Sequence, residues 1–163
     1  MMVGLGYDIH KLVVGRKLFL GGIQIDFEKG LMGHSDGDVL IHAICDALLG
    51  AANLGDIGQH FPPTDARYKN ISSLKILKSV SKFLEDSGLL VKYIDTVVIA
   101  EEPKIQHFSK DMKAAIASTL GISEDIISIK GKTNEGFGGI GAGEAIAAWA
   151  ICEIGRIYAT PER

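Results

Sequence analysis

The chain has 163 residues, 47% of them hydrophobic and 23% charged, which is enough for one domain with a sizeable core. Its formal net charge of −3 lacks the basic excess of a nucleic-acid-binding surface, so a polyanionic ligand would need metal ions, backbone N–H groups or a local basic cluster. No apolar stretch is long enough to span a bilayer, and MMVGLGYDIH runs into a strand without a basic or Arg/Ser-rich leader.

Residues 3–9 read as a strand, and GYDIHKL carries Asp8 and His10 two positions apart. On a strand, residues i and i+2 point the same way, so a carboxylate and an imidazole at this spacing lean onto one ion. Residues 17–27 (KLFLGGIQIDF) read as two short strands around Gly21-Gly22. The segment EKGLMGHSDGD reads as a polar loop, with Ser35 or Asp36 as a helix cap and Asp38 in the first turn. A helix follows to about Asn53, with Val39, Ile44, Ala47, Leu48 and Ala51 as its buried stripe. His42 lies on it. With Asp8 and His10 it makes a ligand set that Zn²⁺ accepts, with a fourth position open as in a catalytic site. Spacing alone leaves two readings standing: this metal site, or a turn-capping Asp8 with two unrelated histidines. Asp38 and Asp46, four residues either side of His42, are each placed to orient its imidazole, or else are solvated helix charges.

Residues 54–70 contain Gly55, Gly58, Pro62 and Pro63 and read as a long irregular connection. A second helix is expected over about 72–87, with Leu74, Leu77, Val80 and Leu84 on one face and Gly88 as its stop. Residues 90–100 are strand-like, Pro103 opens a loop-to-helix entry that ends near Gly121, and 126–132 is another strand. The segment 136–145 holds five glycines, a run that permits close approach to a ligand or another backbone. It lacks the dinucleotide fingerprint. The final EAIAAWAICEIGRIYA is ambiguous, because alanine favours helix. Cys45 and Cys152 sit in apolar surroundings without CxxC spacing and read as small buried hydrophobes in a reducing compartment. Strands come in runs without strict βαβ alternation, so the expected class is α+β.

Several segments, GYDIHKL, LGGIQI, GHSDGDVLIHAICDALLGAANLGDIGQHFPPTD, IAEEPK, KTNE and GAGEAIA, together resemble the 2-C-methyl-D-erythritol 2,4-cyclodiphosphate synthase family. The likeness runs in order over essentially the whole chain, as one domain over 1–163. It implies a mixed sheet with helices on one side, a cytoplasmic homotrimer with active sites between subunits, and a strand for the Ala-rich segment. It also implies a phosphorus–oxygen lyase of the non-mevalonate isoprenoid pathway. The substrate's 2-phosphate attacks the β-phosphorus of its own cytidine diphosphate group, and CMP leaves. Among its implications for single residues are Asp8, His10 and His42 as Zn²⁺ ligands and Glu135 as ligand to a second ion, Mg²⁺ or Mn²⁺. His34 and Thr133 become catalytic stabilisers of developing charge, with Asp8, Ile9, His10, His34 and Ser35 around the phosphates. Asp56, Ile57 and Gly58 match methylerythritol contacts, and Phe61, Pro62, Pro63, Thr64 and Asp65 cover that end, Asp65 being equally a turn former. Ala100, Glu101, Glu102, Pro103, Lys104, Ile105 and Gln106, with Gly131, Lys132, Thr133, Asn134 and Glu135, match the cytidine pocket.

The chain departs from the family pattern at Gly139 and Ala142, where relatives carry an aromatic residue and an arginine. That arginine helps form a polar ring in the trimer cavity, where isoprenoid diphosphates have been proposed to bind. Ala142 lacks its anion contact, although Glu144 is retained and Phe137 offers an aromatic nearby. Two other classes remain as alternatives. One is a zinc hydrolase using the same three ligands to activate water, which would not need AEEPK and KTNE as a pyrimidine pocket. The other is a non-catalytic trimeric CMP- or prenyl-phosphate-binding module, against which the retained ligands and Glu135 speak.

Overall fold

A computed structural model describes residues 1–157. Strand β1 (Met2–Val14) is followed by a hairpin, β2 (Leu18–Leu20) and β3 (Ile23–Ile25), and by β4 (Lys29–Leu31). Then come α1 (Val39–Ala51), α2 (Ile57–His60), α3 (Ser73–Asp86), β5 (Leu89–Ile99), α4 (Ser109–Leu120), β6 (Ile127–Lys132), α5 (Gly138–Gly141) and β7 (Ala145–Arg156). The main sheet has the order β4-β1-β7-β5-β6, antiparallel except for the β5–β6 pair. The hairpin forms a separate two-stranded sheet. The class is α+β, as expected.

The sheet is two-faced. Along β1 the even residues Gly4, Gly6 and Leu12 are buried, with Asp8 and His10 half-buried on the same side. The odd residues Val3, Leu5, Tyr7 and Ile9 are exposed on the other side. Helix α1 lies on the even side. There Gly4 and Gly6 pair with Cys152 and Ala150, and Asp8 pairs with Ala148. A Cβ on Gly6 would stand 1.9 Å from the Ala43 carbonyl oxygen, and one on Gly4 2.0 Å from that of Ala47. This row of minimal side chains is therefore a seat that brings the helix backbone against the strand.

The seat explains the outcome at two places where composition misleads. The Ala-rich β7 is a strand, because it is paired on both sides and Ala148 and Ala150 must be small beneath α1. Tyr158 and Ala159 of that segment lie outside the described residues. Helix α1 has no single buried stripe: every residue except Asp46 and Gly50 is buried, since sheet, α3 and hairpin surround it. Its cap is Asp38, not Ser35 or Asp36. Gly37 at φ +80° turns the chain so that Asp38 is the last extended residue. The Asp38 carboxylate accepts N–H groups from Ile41 (3.1 Å), Gly21 (2.9 Å) and Gly22 (2.7 Å), tying the hairpin to the helix.

Two further expectations change. The loop 28–38 contains β4, whose Gly30 pairs with Val13 at the sheet edge. The connection 54–70 contains α2 and a 3₁₀ turn, Ala66–Tyr68, because Asp56 and Asp65 cap them through Gln59 N–H (2.9 Å) and Arg67 N–H (2.9 Å). The helix over 73–86 ends at Gly88 (φ +68°) as expected, although Leu74 is only half-buried and Ile76 takes its place in the core. In the Gly-rich run, a Cβ on Gly141 would stand 2.1 Å from the Gly136 carbonyl carbon, so the close approach there is backbone on backbone. Cys45 and Cys152 are free and buried, and burial pushes both thiols up. Among the described residues no helix is long and apolar enough to cross a membrane.

Candidate active site

Asp8 and His10 project from the middle of β1, where pairing with Ala148 and Ile146 of β7 fixes them. His42 projects from the first turn of α1, one residue before the Ala43 carbonyl that rests on Gly6. The three side chains converge. Asp8 Oδ2 stands 3.0 Å from His10 Nε2 and 2.9 Å from His42 Nδ1, and ligand atoms of all three lie within 4.8 Å of one another. Burial opposes ionisation of Asp8, but the hydrogen bonds from His10 and His42 outweigh it and hold its carboxyl well below the usual range. Burial likewise pulls His10 down, and the Asp8 carboxylate more than reverses this, so His10 is raised above its ordinary value.

The outer ring nitrogens are also occupied. His10 Nδ1 bonds the Met32 carbonyl, which presents Nε2 to the centre. His42 Nε2 meets Ser35 Oγ at 3.1 Å and Ser73 Oγ at 3.0 Å. Neither Asp38 nor Asp46 orients His42. Asp38 is spent on the hairpin, and Asp46 accepts the Ile57 N–H (2.8 Å), fixing α2 against α1. Sequence reasoning missed Ser73. It lies 31 residues from His42, so no local pattern marks it. It also missed Arg16, whose guanidinium bonds the carbonyls of Gly33 (3.2 Å) and Ser35 (3.0 Å) and holds the loop over the site.

One carboxylate oxygen and two imidazoles with their outer nitrogens already bonded are a donor set that fits Zn²⁺. A cavity opens beside them, lined by Asp8, His10, His34, Ser35, His42 and Asp46 and by Ile57, Gly58, Phe61, Pro63, Tyr68, Ile71 and Ile76. It thus collects ten sequence-selected residues and adds three apolar or aromatic ones. Ile9 is not among them: its side chain lies on the opposite sheet face, and its N–H is bonded to Asp8 Oδ1 (2.8 Å). Asp56, Pro62, Thr64 and Asp65 do not line it. The Asp56 and Asp65 carboxylates are engaged by Gln59 and Arg67.

A second cavity lies at the β5–β6 end of the sheet. Ala100, Lys104, Ile105, Gln106, Gly131, Lys132 and Thr133 line it with His107, Ser109, Ile129 and Lys130. Glu101, Glu102, Pro103, Asn134 and Glu135 are not in its wall. Glu101 instead organises the neighbouring loop, accepting the N–H of Asn134 (2.8 Å) and of Gly136 (3.3 Å). In that loop Glu135 sits at φ +51° and accepts the Thr133 hydroxyl (2.7 Å). The two cavities share no lining residue.

The YgbB family model matches residues 1–155. The chain belongs to the YgbB family. A 2-C-methyl-D-erythritol 2,4-cyclodiphosphate synthase from Clostridium kluyveri is 56% identical over 152 residues, covering 93% of each chain. Among solved structures, the bifunctional IspDF from Campylobacter jejuni superposes with a TM-score of 0.91 at 40% identity over 95% of this chain. This chain spans 42% of that longer protein. The IspF of Plasmodium falciparum, solved as a CDP complex, gives a TM-score of 0.85 at 35% identity, covering 96% and 97% of the two chains. The Asp8, His10 and His42 cluster and both cavities thus lie on a YgbB-family scaffold.

Proposed function

We propose that the chain converts 4-diphosphocytidyl-2-C-methyl-D-erythritol 2-phosphate to 2-C-methyl-D-erythritol 2,4-cyclodiphosphate with release of CMP, in the cytoplasm, as a step of non-mevalonate isoprenoid synthesis. The observation that carries this reading is the Asp8/His10/His42 cluster beside a cavity in a chain 56% identical to a named synthase. In the reaction an oxygen of the 2-phosphate forms a bond to the β-phosphorus. The bond from that phosphorus to the α–β bridging oxygen breaks, and CMP keeps its electron pair.

Ring closure forces two phosphates of one molecule together, so the work of the protein is positioning and charge stabilisation. Asp8 Oδ2, His10 Nε2 and His42 Nδ1 would hold Zn²⁺, which supplies a Lewis acid for a phosphoryl oxygen. Glu135, a single hard donor on an exposed loop, fits Mg²⁺ or Mn²⁺, which takes most of its ligands from phosphate and water. His34 and Ser35, on the loop that Arg16 fixes, would meet the 2-phosphate. Ile57, Gly58, Phe61 and Pro63 would enclose the methylerythritol carbons. Asp56 would reach its hydroxyls from the rim. Lys104, Lys132 and Thr133 would face the diphosphate and cytidine in the second cavity, with Glu101 holding the loop that closes it. The CDP complex of the Plasmodium falciparum relative supports a cytidine nucleotide as ligand.

A homotrimer with shared sites fits two features. The metal-side cavity and the second cavity share no lining residue, which suits an elongated substrate held by one cavity from each of two neighbouring copies. The outer sheet face also presents Val3, Leu5, Tyr7, Ile9, Tyr93, Trp149 and Ile151 to solvent, an apolar surface broken by Glu153 between Val3 and Tyr93, of the kind that subunits cover. Tyr7 and Trp149 already pack there with ring centroids 4.4 Å apart.

The decisive experiment supplies purified protein with Zn²⁺, Mg²⁺ and the cytidylated 2-phosphate and identifies the products by mass. CMP and the cyclic diphosphate are expected. The 2,4-bisphosphate, heavier than the cyclic product by one water, would instead establish a hydrolase.

A further inference from the structure

Among the described residues no lysine or arginine lines the metal-side cavity, while two carboxylates, Asp8 and Asp46, do. A phosphate held there must find its partners in a metal, a histidine, a hydroxyl or backbone N–H groups. Loop 33–35 is arranged to supply the last. Its three carbonyls all have donors. Arg16 Nη1 donates to the Gly33 carbonyl (3.2 Å) and Nη2 to that of Ser35 (3.0 Å), and the Asn70 N–H donates to the His34 carbonyl between them (2.8 Å). In a trans peptide the N–H points opposite to its C=O, and these peptides are trans. The His34 N–H therefore points away from Arg16, and the Ser35 N–H away from Asn70. Neither N–H has a partner among the described residues. His34 and Ser35 line the cavity, and neither Arg16 nor Asn70 does.

We propose that Arg16 is a positioning residue for the phosphate end of the substrate: its guanidinium fork fixes loop 33–35 so that the His34 and Ser35 N–H groups receive a phosphate, and it does not itself touch the ligand. This rests on the phosphorylated-substrate reading above. The two carbonyls that Arg16 holds flank one residue, His34, so the clamp needs two donors at a fixed separation. A guanidinium presents such a planar fork and keeps its charge, whereas an ammonium is a single point. The clamp also sets how deep the loop sits. A Cβ on Gly33 would stand 3.1 Å from His10 Cε1, so the loop already lies against that ring.

The test has two arms, both on zinc-loaded protein with its metal content measured. In the first, ¹H–¹⁵N NMR follows the backbone amides while inorganic phosphate is added. The His34 and Ser35 amide protons should move downfield and saturate in the wild type, and stay in place over the same range in Arg16→Ala. Wild-type amides that do not respond overturn the proposal, as does an equal response in Arg16→Ala. The second arm reads CMP release from the cytidylated substrate. A reacting group misplaced by about 1 Å costs about 10²-fold, and Arg16→Ala should lose about that much in kcat/KM at full zinc occupancy. Arg16→Lys keeps the charge and reaches one carbonyl at a time. It should fall between the two proteins in both arms, and it serves where Arg16→Ala does not fold. Unchanged kcat/KM in Arg16→Ala, or a loss matched by lost zinc, would reduce Arg16 to a prop for the fold and sink the proposal. Wild-type protein that responds to phosphate but releases no CMP would sink the substrate reading instead, and the clamp would stand.

Discussion

Replacing Gly6 by alanine tests how the strand seat builds the site. Propensity alone favours the change, since a strand glycine costs about 0.5–1 kcal/mol against alanine. Geometry reverses the sign. The new Cβ would stand 1.9 Å from the Ala43 oxygen and 2.8 Å from the Ala47 nitrogen, and both are helix backbone with no rotamer to move away. Strand and helix must part by about 1 Å to restore contact distance, at the upper end of overpacking costs, about 3 kcal/mol. For a chain of this size that lowers the melting temperature by about 6–12 °C. The movement falls between Asp8, two residues along β1, and His42, one residue before Ala43. Metal–ligand distances tolerate only about 0.2 Å, so Gly6→Ala should also lose at least about tenfold in zinc affinity. Gly4→Ala, 2.0 Å from the Ala47 oxygen, meets α1 one turn further from His42. It should melt as early as Gly6→Ala while binding zinc more tightly. Calorimetry and chelator competition on both variants decide the matter. A Gly6→Ala protein that melts within about 2 °C of wild type and keeps its zinc affinity would refute the seat.

Three further outcomes follow from the site and from the outer sheet face. Zinc affinity should fall as pH is lowered, and the fall should begin above pH 6.5, because His10 must be neutral to bind and Asp8 raises its proton affinity above that value. In the metal-free protein the sign is opposite for this group: a raised His10 contributes stability below 6.5 that is lost as pH rises through its folded value, and Asp8 contributes stability above 3.8 that is lost as pH falls. Chelator titration and thermal melts across pH should show both trends, and zinc affinity flat between pH 5 and pH 8 would contradict the ligand set. Ile151→Glu places a charge in the outer apolar face beside Leu5. It should convert a trimer to monomer by light scattering and abolish cyclisation, whereas a fully active monomer would refute shared sites.

Much of this was readable from short-range pattern. Alternation in GYDIHKL puts Asp8 and His10 on one side of β1, and glycines mark the hairpin and the end of α3 where positive φ is needed. What stayed hidden depends on partners far along the chain. The burial of both sides of α1 depends on the hairpin and α3, which no stripe on the helix reports. Alanine in β7 speaks for helix until Gly4 and Gly6 show that small residues must lie opposite a backbone. Ser35 and Asp36 look like caps of α1 because they precede it. Gly37 turns them away, towards His42 and Ser73. The outer partners of His42 come from position 35 and position 73, and spacing carries no trace of the second.

The rims of the sheet set how copies of this chain meet. One rim is β6, whose last residues carry Lys130 and Lys132, and the other is β1, which the three-residue β4 covers only at Leu12–Val14. The lysine-bearing margin makes a poor template for adding a strand from another molecule. The broad greasy flank offers self-association a route that needs no strand pairing. Association through it would pack sheets face to face and leave the rims unused.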